Sequence, residues 1–420
     1  MAFVKYNYPQ ELIDMIVDNV ADGNDVQCLR ACSLAATAFQ QRAQMYLFRT
    51  LKFYDLNFWT PASWVSKLEN LSLALTIHPH LARYTRGLRL QHGPDVNPWL
   101  YSNHTFLSIV EQLDNVEDVF IRQRNYGTFT QLEKLFDSFW KPFIQPRVKK
   151  LRLDRVWDFP LVLVIACPKL ESLGLHSVKF NESTLKDISQ LLGPSPPKSR
   201  ALTYLQFRGG PIIHEFVQSW RRENVCDLID LTKLSTIDCF FRFNHSGDES
   251  NWLNAILRST RTSLKSLILG GRIVNPDESQ ISLRGLVSLK EISFCIEDFE
   301  PGWALGKYYP VQAISEIFAT ISDDSPLMNL EVATKLTKDP LRSLRWLLDQ
   351  TSWVNLDDAI NSWQERAKVL TRLTMRLEYR KQDMNSEDVA SLLQEYERIR
   401  VDKLPLTNSN TLINVSILSS

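Results

Sequence analysis

Few residues in this sequence have the types and spacing that catalysis or metal binding requires. His245, Asp248 and Ser250 share one polar stretch, and a Ser-His-Asp set can activate a serine nucleophile. The members of such triads normally come from distant segments that meet in space, so three polar residues in one turn are ordinarily just solvated. His78 and His80 could begin a metal site, but no third ligand lies near them at a suitable spacing.

The sequence also lacks the motifs of several common enzyme classes. No G-x-x-x-x-G-K-[ST], G-x-S-x-G or H-E-x-x-H occurs. The six cysteines are widely scattered, which is unlike a disulfide framework or paired zinc knuckles. We therefore predict a protein without catalytic residues, metal or cofactor, whose function depends on binding surfaces.

Charge and hydropathy restrict the class of partner. The 48 basic and 48 acidic residues give a formal net charge of zero, so no global charge attracts nucleic acid or an anionic membrane. The first residues contain no signal-peptide core, and no run of 18 apolar residues occurs. The sequence therefore predicts a soluble protein, cytoplasmic or nuclear, that binds neither nucleic acid nor membranes.

The elements that would carry a binding surface begin near the N-terminus. Pro9 suits the first residue of a helix, and Gly23 suits its end. Asp14 and Asp18 fall on the side opposite an apolar stripe with helical spacing. The stripe consists of Leu12, Ile13, Ile16, Val17 and Val20.

Two further helices are predicted before residue 49. Asn24 and Gln27 fit a capping box at the start of the second, and Phe39, Ala43 and Leu47 share one face of the third. A unit of about 40 residues buries too little surface to be stable alone. Either these helices cap the domain that follows, or one apolar face is reserved for another protein.

From residue 84 onward the pattern L-x-x-L-x-L returns. Its middle apolar positions are 88, 119, 151, 173, 205, 237, 267, 292, 330 and 373. Spacings of this size indicate units of one strand plus a returning helix, which stack because none buries its apolar face alone. Returning helices are predicted, for example, at 311–321 and 355–369, and a closing strand within 404–417. The predicted fold class is therefore α/β, with a solenoid of irregular repeats.

Alternate residues of each predicted strand point inward, and the residues between them face out. The outward residues are either ordinary solvated side chains or part of a surface that binds a target protein. Candidates for such a surface are Arg89, Arg152, Tyr204, Gln206 and Arg376.

The N-terminal sequence resembles an F-box of the kind found in mushroom-type fungi. The resemblance covers residues 8–53 and is carried by Pro9-Gln10-Glu11-Leu12-Ile13, Cys28-Leu29-Arg30-Ala31-Cys32-Ser33-Leu34 and Leu47-Phe48-Arg49-Thr50-Leu51. Tyr8 stands where the family usually has Leu, and Phe39 where it usually has Trp. The repeats resemble an irregular leucine-rich repeat without its usual Asn, since Val178, Gly210 and Arg272 stand at that position.

These resemblances imply a three-helix F-box at 8–53, a helical linker at 54–83 and a leucine-rich-repeat-like solenoid at 84–420. They further imply a non-catalytic substrate adaptor of a Skp-cullin-F-box ubiquitin ligase, whose partners are a Skp-type linker protein, a cullin and an unknown target protein. The alternative is a structural or scaffolding repeat protein with no role in ubiquitin transfer. The residues implied to bind the linker protein are Pro9, Leu12, Ile13, Ile16, Val17, Val20, Leu29 and Phe39.

Overall fold

The computed structural model divides the chain into two compact units, described separately below. Unit 1 comprises Met1–Leu170 with Val178–Pro197, and unit 2 comprises Glu171–Ser177 with Lys198–Ser420. The structure describes residues 9–54, 61–92, 99–123, 136–159, 163–164, 166–180, 201–208, 230–241, 248–271, 281–297, 310–336, 352–367, 370, 372–379, 387, 390–391, 394, 404 and 412–419.

Unit 1 begins with three helices, and its described strands all run parallel. Its elements are α1 (Gln10–Asp22), α2 (Val26–Ala35), α3 (Thr37–Phe48), β1 (Thr50–Tyr54), α4 (Pro61–Ile77), α5 (Pro79–Tyr84), β2 (Gly87–His92), α6 (Trp99–Ser102), α7 (His104–Glu111), β3 (Asp118–Gln123), a π-helix (Phe136–Ile144) and β4 (Lys150–Asp154). The strands pair in the order β1-β2-β3-β4.

Unit 2 continues the same alternation of parallel strands and helices. Its elements are β5 (Ser172–His176), β6 (Tyr204–Arg208), β7 (Thr236–Phe241), α8 (Asp248–Ser259), β8 (Ser266–Gly271), β9 (Glu291–Glu297), α9 (Pro310–Phe318), β10 (Asn329–Leu336), α10 (Ser352–Ala367), β11 (Arg372–Tyr379) and β12 (Leu412–Ser419). Each strand pairs with the next one along the chain.

The repeat prediction is confirmed at the level of fold class and strand position. All ten predicted apolar positions lie in strands β2 to β11, and β12 overlaps the predicted closing strand at residues 412–417. The strands are in matched register, so Leu88 lies opposite Val119 in unit 1 and Leu267 opposite Ile292 in unit 2. The class is therefore α/β, built from parallel strands that alternate with helices, as in a solenoid-like repeat.

The core follows the alternation that the sequence predicts. Leu88 and Leu90 of β2, like Leu267 and Leu269 of β8, are at most 1% exposed. Their neighbours on the other face, such as Arg89, remain accessible. Strands β1 to β4 of unit 1 and β5 to β11 of unit 2 therefore each contribute at least two buried apolar side chains to the core of their own unit, because side chains of a strand alternate between its faces.

Shared backbone carbonyls connect successive strands where they begin. The carbonyl of Arg86 accepts hydrogen bonds from the N–H groups of Glu117 and Asp118, at 2.9 and 3.0 Å. In unit 2 the carbonyl of Ser235 accepts in the same way from Lys265 and Ser266. These bonds link neighbouring repeats in a sequence that lacks the repeated Asn, and they recur at the carbonyls of Arg49, Glu117, Glu171, Thr203, Lys265 and Lys290.

The first strand of the array lies earlier than the sequence suggested. Residues 50–54 form β1, which pairs with β2, although they fall within or beside the segment assigned to the F-box. The predicted linker at 54–83 contains α4 and most of α5, and these helices connect β1 to β2. The strand β1 was not predicted because most of its residues were assigned to the F-box-like segment, and the domain boundaries themselves stay a prediction.

Candidate functional site

The three N-terminal helices have a small core of their own. Val17 of α1, Leu29 of α2 and Ala43 of α3 are buried at 0%, 5% and 0% exposure. This core uses several residues that the resemblance assigned to partner contact. Val17 and Leu29 are inside it, and Val20 and Phe39 pack against it.

The first helix leaves a separate apolar row uncovered. Leu12, Met15 and Ile16 are 49%, 59% and 52% exposed, and their spacing of three and four residues places them side by side. Ile13 is only 8% exposed. The stripe predicted from sequence thus divides into an inward part, with Ile13 and Val17, and an outward part. We call Leu12, Met15 and Ile16 the outer row.

A polar contact on the inner side fixes this orientation of α1. The Asp18 carboxylate accepts two hydrogen bonds from the Arg42 guanidinium, at 2.7 and 2.9 Å, and a third from the Tyr46 hydroxyl at 3.0 Å. Near the start of α1, the Gln10 amide donates to the Ala38 carbonyl at 3.0 Å. The helical spacing predicted Asp18 on the side opposite the apolar stripe, but in the structure Asp18 is half-buried against α3.

The same contact changes the protonation properties of its members. The hydrogen bond from Arg42 lowers the pKa of Asp18 more than burial raises it, and the hydrogen bond from Tyr46 lowers this pKa further. Burial, followed by the hydrogen bond to Asp18, raises the pKa of Tyr46. The cluster therefore remains an ion pair with a neutral phenol at neutral pH.

The turn between α1 and α2 is formed differently from the predicted capping box. Asn24 has a φ of 55°, and the N–H groups of Asn24 and Asp25 donate to the carbonyls of Ala21 and Val20. This is a Schellman end to α1, with Asn in the left-handed position where glycine is more usual. The N-cap of α2 is Asp25, whose carboxylate accepts from the Cys28 N–H at 2.9 Å, so the prediction of Asn24 as the cap was wrong by one residue.

Pro9 is likewise one position earlier than predicted. It precedes α1 with a ψ of 136°, outside the helical range, and its carbonyl accepts from the N–H of Leu12 at 3.1 Å. Pro9 is exposed and therefore extends the accessible surface beside Leu12.

The second helix adds exposed apolar side chains that the sequence analysis did not select. Leu34 is 86% exposed near the end of α2, and Val26 is 48% exposed at its start. Met15 was not predicted as a contact residue, although its spacing of three residues from Leu12 indicates it, and Leu34 was quoted only as part of the F-box-like motif. An isolated exposed apolar residue is common, but a half-exposed row on one helix marks a candidate protein contact.

The third helix attaches the group to the repeats of unit 1. The buried Thr85 hydroxyl donates to the Phe48 carbonyl at the end of α3, at 3.0 Å. The Arg49 carbonyl accepts from the N–H groups of Arg86 and Gly87, both at 2.9 Å. The helices thus have one side anchored to β2, while the outer row of α1 stays accessible.

The comparisons with known proteins give little beyond this geometry. No protein-family model matches the sequence, and no curated protein matches it either. A solved structure of the yeast Rad7 and Elc1 complex aligns with a TM-score of 0.35 and 13% identity, over 90% of this chain and 91% of that one. So weak a likeness carries no argument, and the assignment depends on the residues themselves.

The outward strand residues selected from sequence differ in their surroundings. Arg152 pairs with Asp118 at 3.1 Å, and Gln206 donates to the nearly buried Asp238. Arg376 pairs with Glu331 at 2.9 Å. In the described part of the chain Arg89 forms no ion pair, and Tyr204 lies 3.4 Å from Asp238 through its hydroxyl.

The described residues give no support for a catalytic triad or a metal site. His245, and the side chains of Asp248 and Ser250, lie outside the described residues. Within the described ranges, no group of three or more His, Cys, Asp or Glu side chains could hold a metal ion. None of the described helices combines the length and the apolar character needed to cross a membrane.

Proposed function

We propose that this protein is a non-catalytic substrate receptor of a Skp-cullin-F-box ubiquitin ligase. In this proposal α1 to α3 are the F-box, and the outer row binds the Skp-type linker protein that connects them to the cullin. The observation that carries the proposal is that Leu12 and Ile16 stay half-exposed while Asp18 of the same helix turns inward. The sequence resemblance to an F-box supplies the identity of the partner.

The repeat array would then hold the target protein. Such a receptor needs no active-site residues, because keeping a target lysine close to an activated ubiquitin raises its effective concentration. This agrees with the absence of enzyme motifs in the sequence. The target surface would lie among outward strand residues, of which Arg89 and Arg152 belong to unit 1.

Burial of the outer row by a linker protein would contribute a moderate binding free energy. Complete burial of one large aliphatic side chain contributes about 1.5–3 kcal/mol, so covering three half-exposed ones contributes roughly 3 kcal/mol to binding. Two aspartates in that row would remove this contribution and add the cost of burying charge. The F-box interpretation therefore predicts a strong effect from a change that leaves the core of α1 to α3 untouched.

The test is co-purification of the tagged protein from cells. The wild type should recover a Skp-type linker protein and a cullin, and a Leu12→Asp plus Ile16→Asp variant should recover neither. A matched control is Leu73→Asp plus Ile77→Asp on α4, since Leu73 and Ile77 are 58% and 60% exposed with the same spacing. Equal recovery by all three proteins, or recovery by none, would contradict the proposal.

A scaffolding role is the second candidate, and the attachment of α3 to β2 favours it. The Thr85 hydrogen bond to the Phe48 carbonyl is what a cap on the first repeat would require. If capping is the whole function, removal of residues 1–49 should unfold the array. Substitutions in the outer row should then not change which proteins are recovered. Circular dichroism of the shortened chain distinguishes this role from the receptor role, which allows the array to remain folded.

A further inference from the structure

A groove of about 660 Å³ lies beside the N-terminal helices in unit 1. Residues at the end of α1, on α2 and α3, and on β1 and β2 line it. Its apolar lining includes Val26, Leu47 and Leu51. The outer row contributes nothing to this groove, so it is a separate surface.

The charge around the groove is unbalanced. Four exposed cations line it, Arg30, Arg49, Lys52 and Arg89, against the single carboxylate of Asp22. In the described part of the chain none of these cations forms an ion pair. Because the whole chain carries no net charge, this is a local concentration of positive potential.

The strand register places two of these positive charges next to each other. Lys52 and Arg89 lie directly opposite each other on β1 and β2, which are about 4.8 Å apart. Two positive charges held at this separation repel each other. The row continues through Phe120 to Arg152, but Arg152 is neutralised by Asp118 at 3.1 Å. Lys52 and Arg89 have no such neighbour among the described residues, so an anion from outside would relieve their repulsion.

We propose that this groove binds an acidic segment of a partner protein, with its carboxylates at Lys52, Arg89, Arg49 and Arg30 and an apolar side chain against Val26 and Leu47. The inference shares Arg89 with the target surface proposed above, but it uses no residue of the outer row and therefore holds whether or not a linker protein binds there. A protein segment suits the site better than a nucleic acid, since part of the wall is apolar. In addition, nucleic-acid bases stack on exposed aromatic rings, but the ring of Phe120 in this row is already covered by the Arg152 guanidinium, 5.7 Å from the ring centre.

Fluorescence anisotropy tests the proposal on the full-length protein. The probe is a short fluorescein-labelled Glu-rich peptide with one central Leu. A second peptide replaces every Glu with Gln, and a labelled single-stranded DNA provides the nucleic-acid arm. We expect the Glu peptide to bind, its affinity to fall as salt is added, and the Gln peptide to bind about tenfold or more weakly.

Charge reversal then locates the site. Lys52→Glu plus Arg89→Glu should weaken binding of the Glu peptide about tenfold or more. The control is Lys141→Glu plus Lys169→Glu, which changes net charge equally at exposed positions that do not line the groove. The milder Lys52→Gln plus Arg89→Gln pair, checked by circular dichroism, should give a smaller loss in the same direction. Equal losses in groove and control variants, equal binding of both peptides, or tighter binding of the DNA would overturn the proposal.

Discussion

The carboxylate of Asp18 and the guanidinium of Arg42 form a bidentate ion pair, with N–O distances of 2.7 and 2.9 Å. Asp18 belongs to α1 and Arg42 to α3, so the pair fixes the rotation of α1 about its axis. With Asp18 turned toward α3, Leu12 and Ile16 point away from it, while Met15, three residues before Asp18, lies closer to it on the helix surface and is still 59% exposed. In α1 an acidic side chain therefore faces the protein while three apolar side chains face solvent. A surface helix without a binding partner usually shows the opposite arrangement.

The ion pair should make stability depend on pH in one direction. The pKa of Asp18 is lowered in the folded protein, mainly by the hydrogen bond from Arg42, from about 3.9 in the unfolded chain. Its contribution is therefore fully present above that unfolded value and is lost as pH falls through the lower folded value. We expect the difference in Tm between wild type and Asp18→Asn to be constant from about pH 5 to 7 and to shrink below about pH 4.

Asp22→Asn is the matched control for that measurement. Asp22 ends the same helix, and its carboxylate accepts no hydrogen bond within the described part of the chain. Its Tm difference should be small at every pH. A difference for Asp18→Asn that persists undiminished at the lowest pH would show that the ion pair does not stabilise the fold.

Neighbouring residues of α1 should respond oppositely to truncation. Val17 is fully buried, so Val17→Ala leaves a cavity and should lower the free energy of unfolding by about 2 kcal/mol. Ile16 is 52% exposed, so Ile16→Ala should change it by less than about 0.5 kcal/mol. Urea unfolding of both variants measures the contrast, and similar losses for the two would mean that the outer row is covered in solution.

In unit 2 a glycine makes room for an aromatic ring. A Cβ on Gly270 of β8 would overlap the ring of Phe240, its paired residue on β7. Gly270→Ala should therefore lower the free energy of unfolding by about 1–3 kcal/mol. The double variant with Phe240→Ala should recover part of that loss in a double-mutant cycle, whereas additive losses would place the cost elsewhere than in this contact.

The sequence predicted the repeats well because their signal is simple and local. Burial on one face of a strand requires apolar residues at alternate positions, and positions such as Leu267 and Leu269 show it within six residues. The strand β1 follows the same rule with Leu51 and Phe53, which are 8% and 3% exposed. It was missed only because those residues had already been assigned to another motif.

The orientation of α1 could not be predicted in the same way. Seven apolar residues lie between Leu12 and Ala21, so the helix has more apolar surface than its small core can use. The inward side also holds the pair between Asp18 and Arg42, which are 24 residues apart in the chain. Local periodicity contains no information on a contact of that separation. The F-box resemblance implied that Val17 and Leu29 contact the partner, and the structure places both in the core of the three helices.

Direct binding of a purified Skp-type linker protein tests the central claim, that α1 presents the outer row to another subunit. Isothermal titration calorimetry should show tight binding by the wild type and by the Leu73→Asp plus Ile77→Asp control. For Leu12→Asp plus Ile16→Asp, an unchanged Tm together with a Kd weakened by about a hundredfold or more is the predicted result. Wild-type affinity in that variant, or no binding by the wild type, would contradict the account.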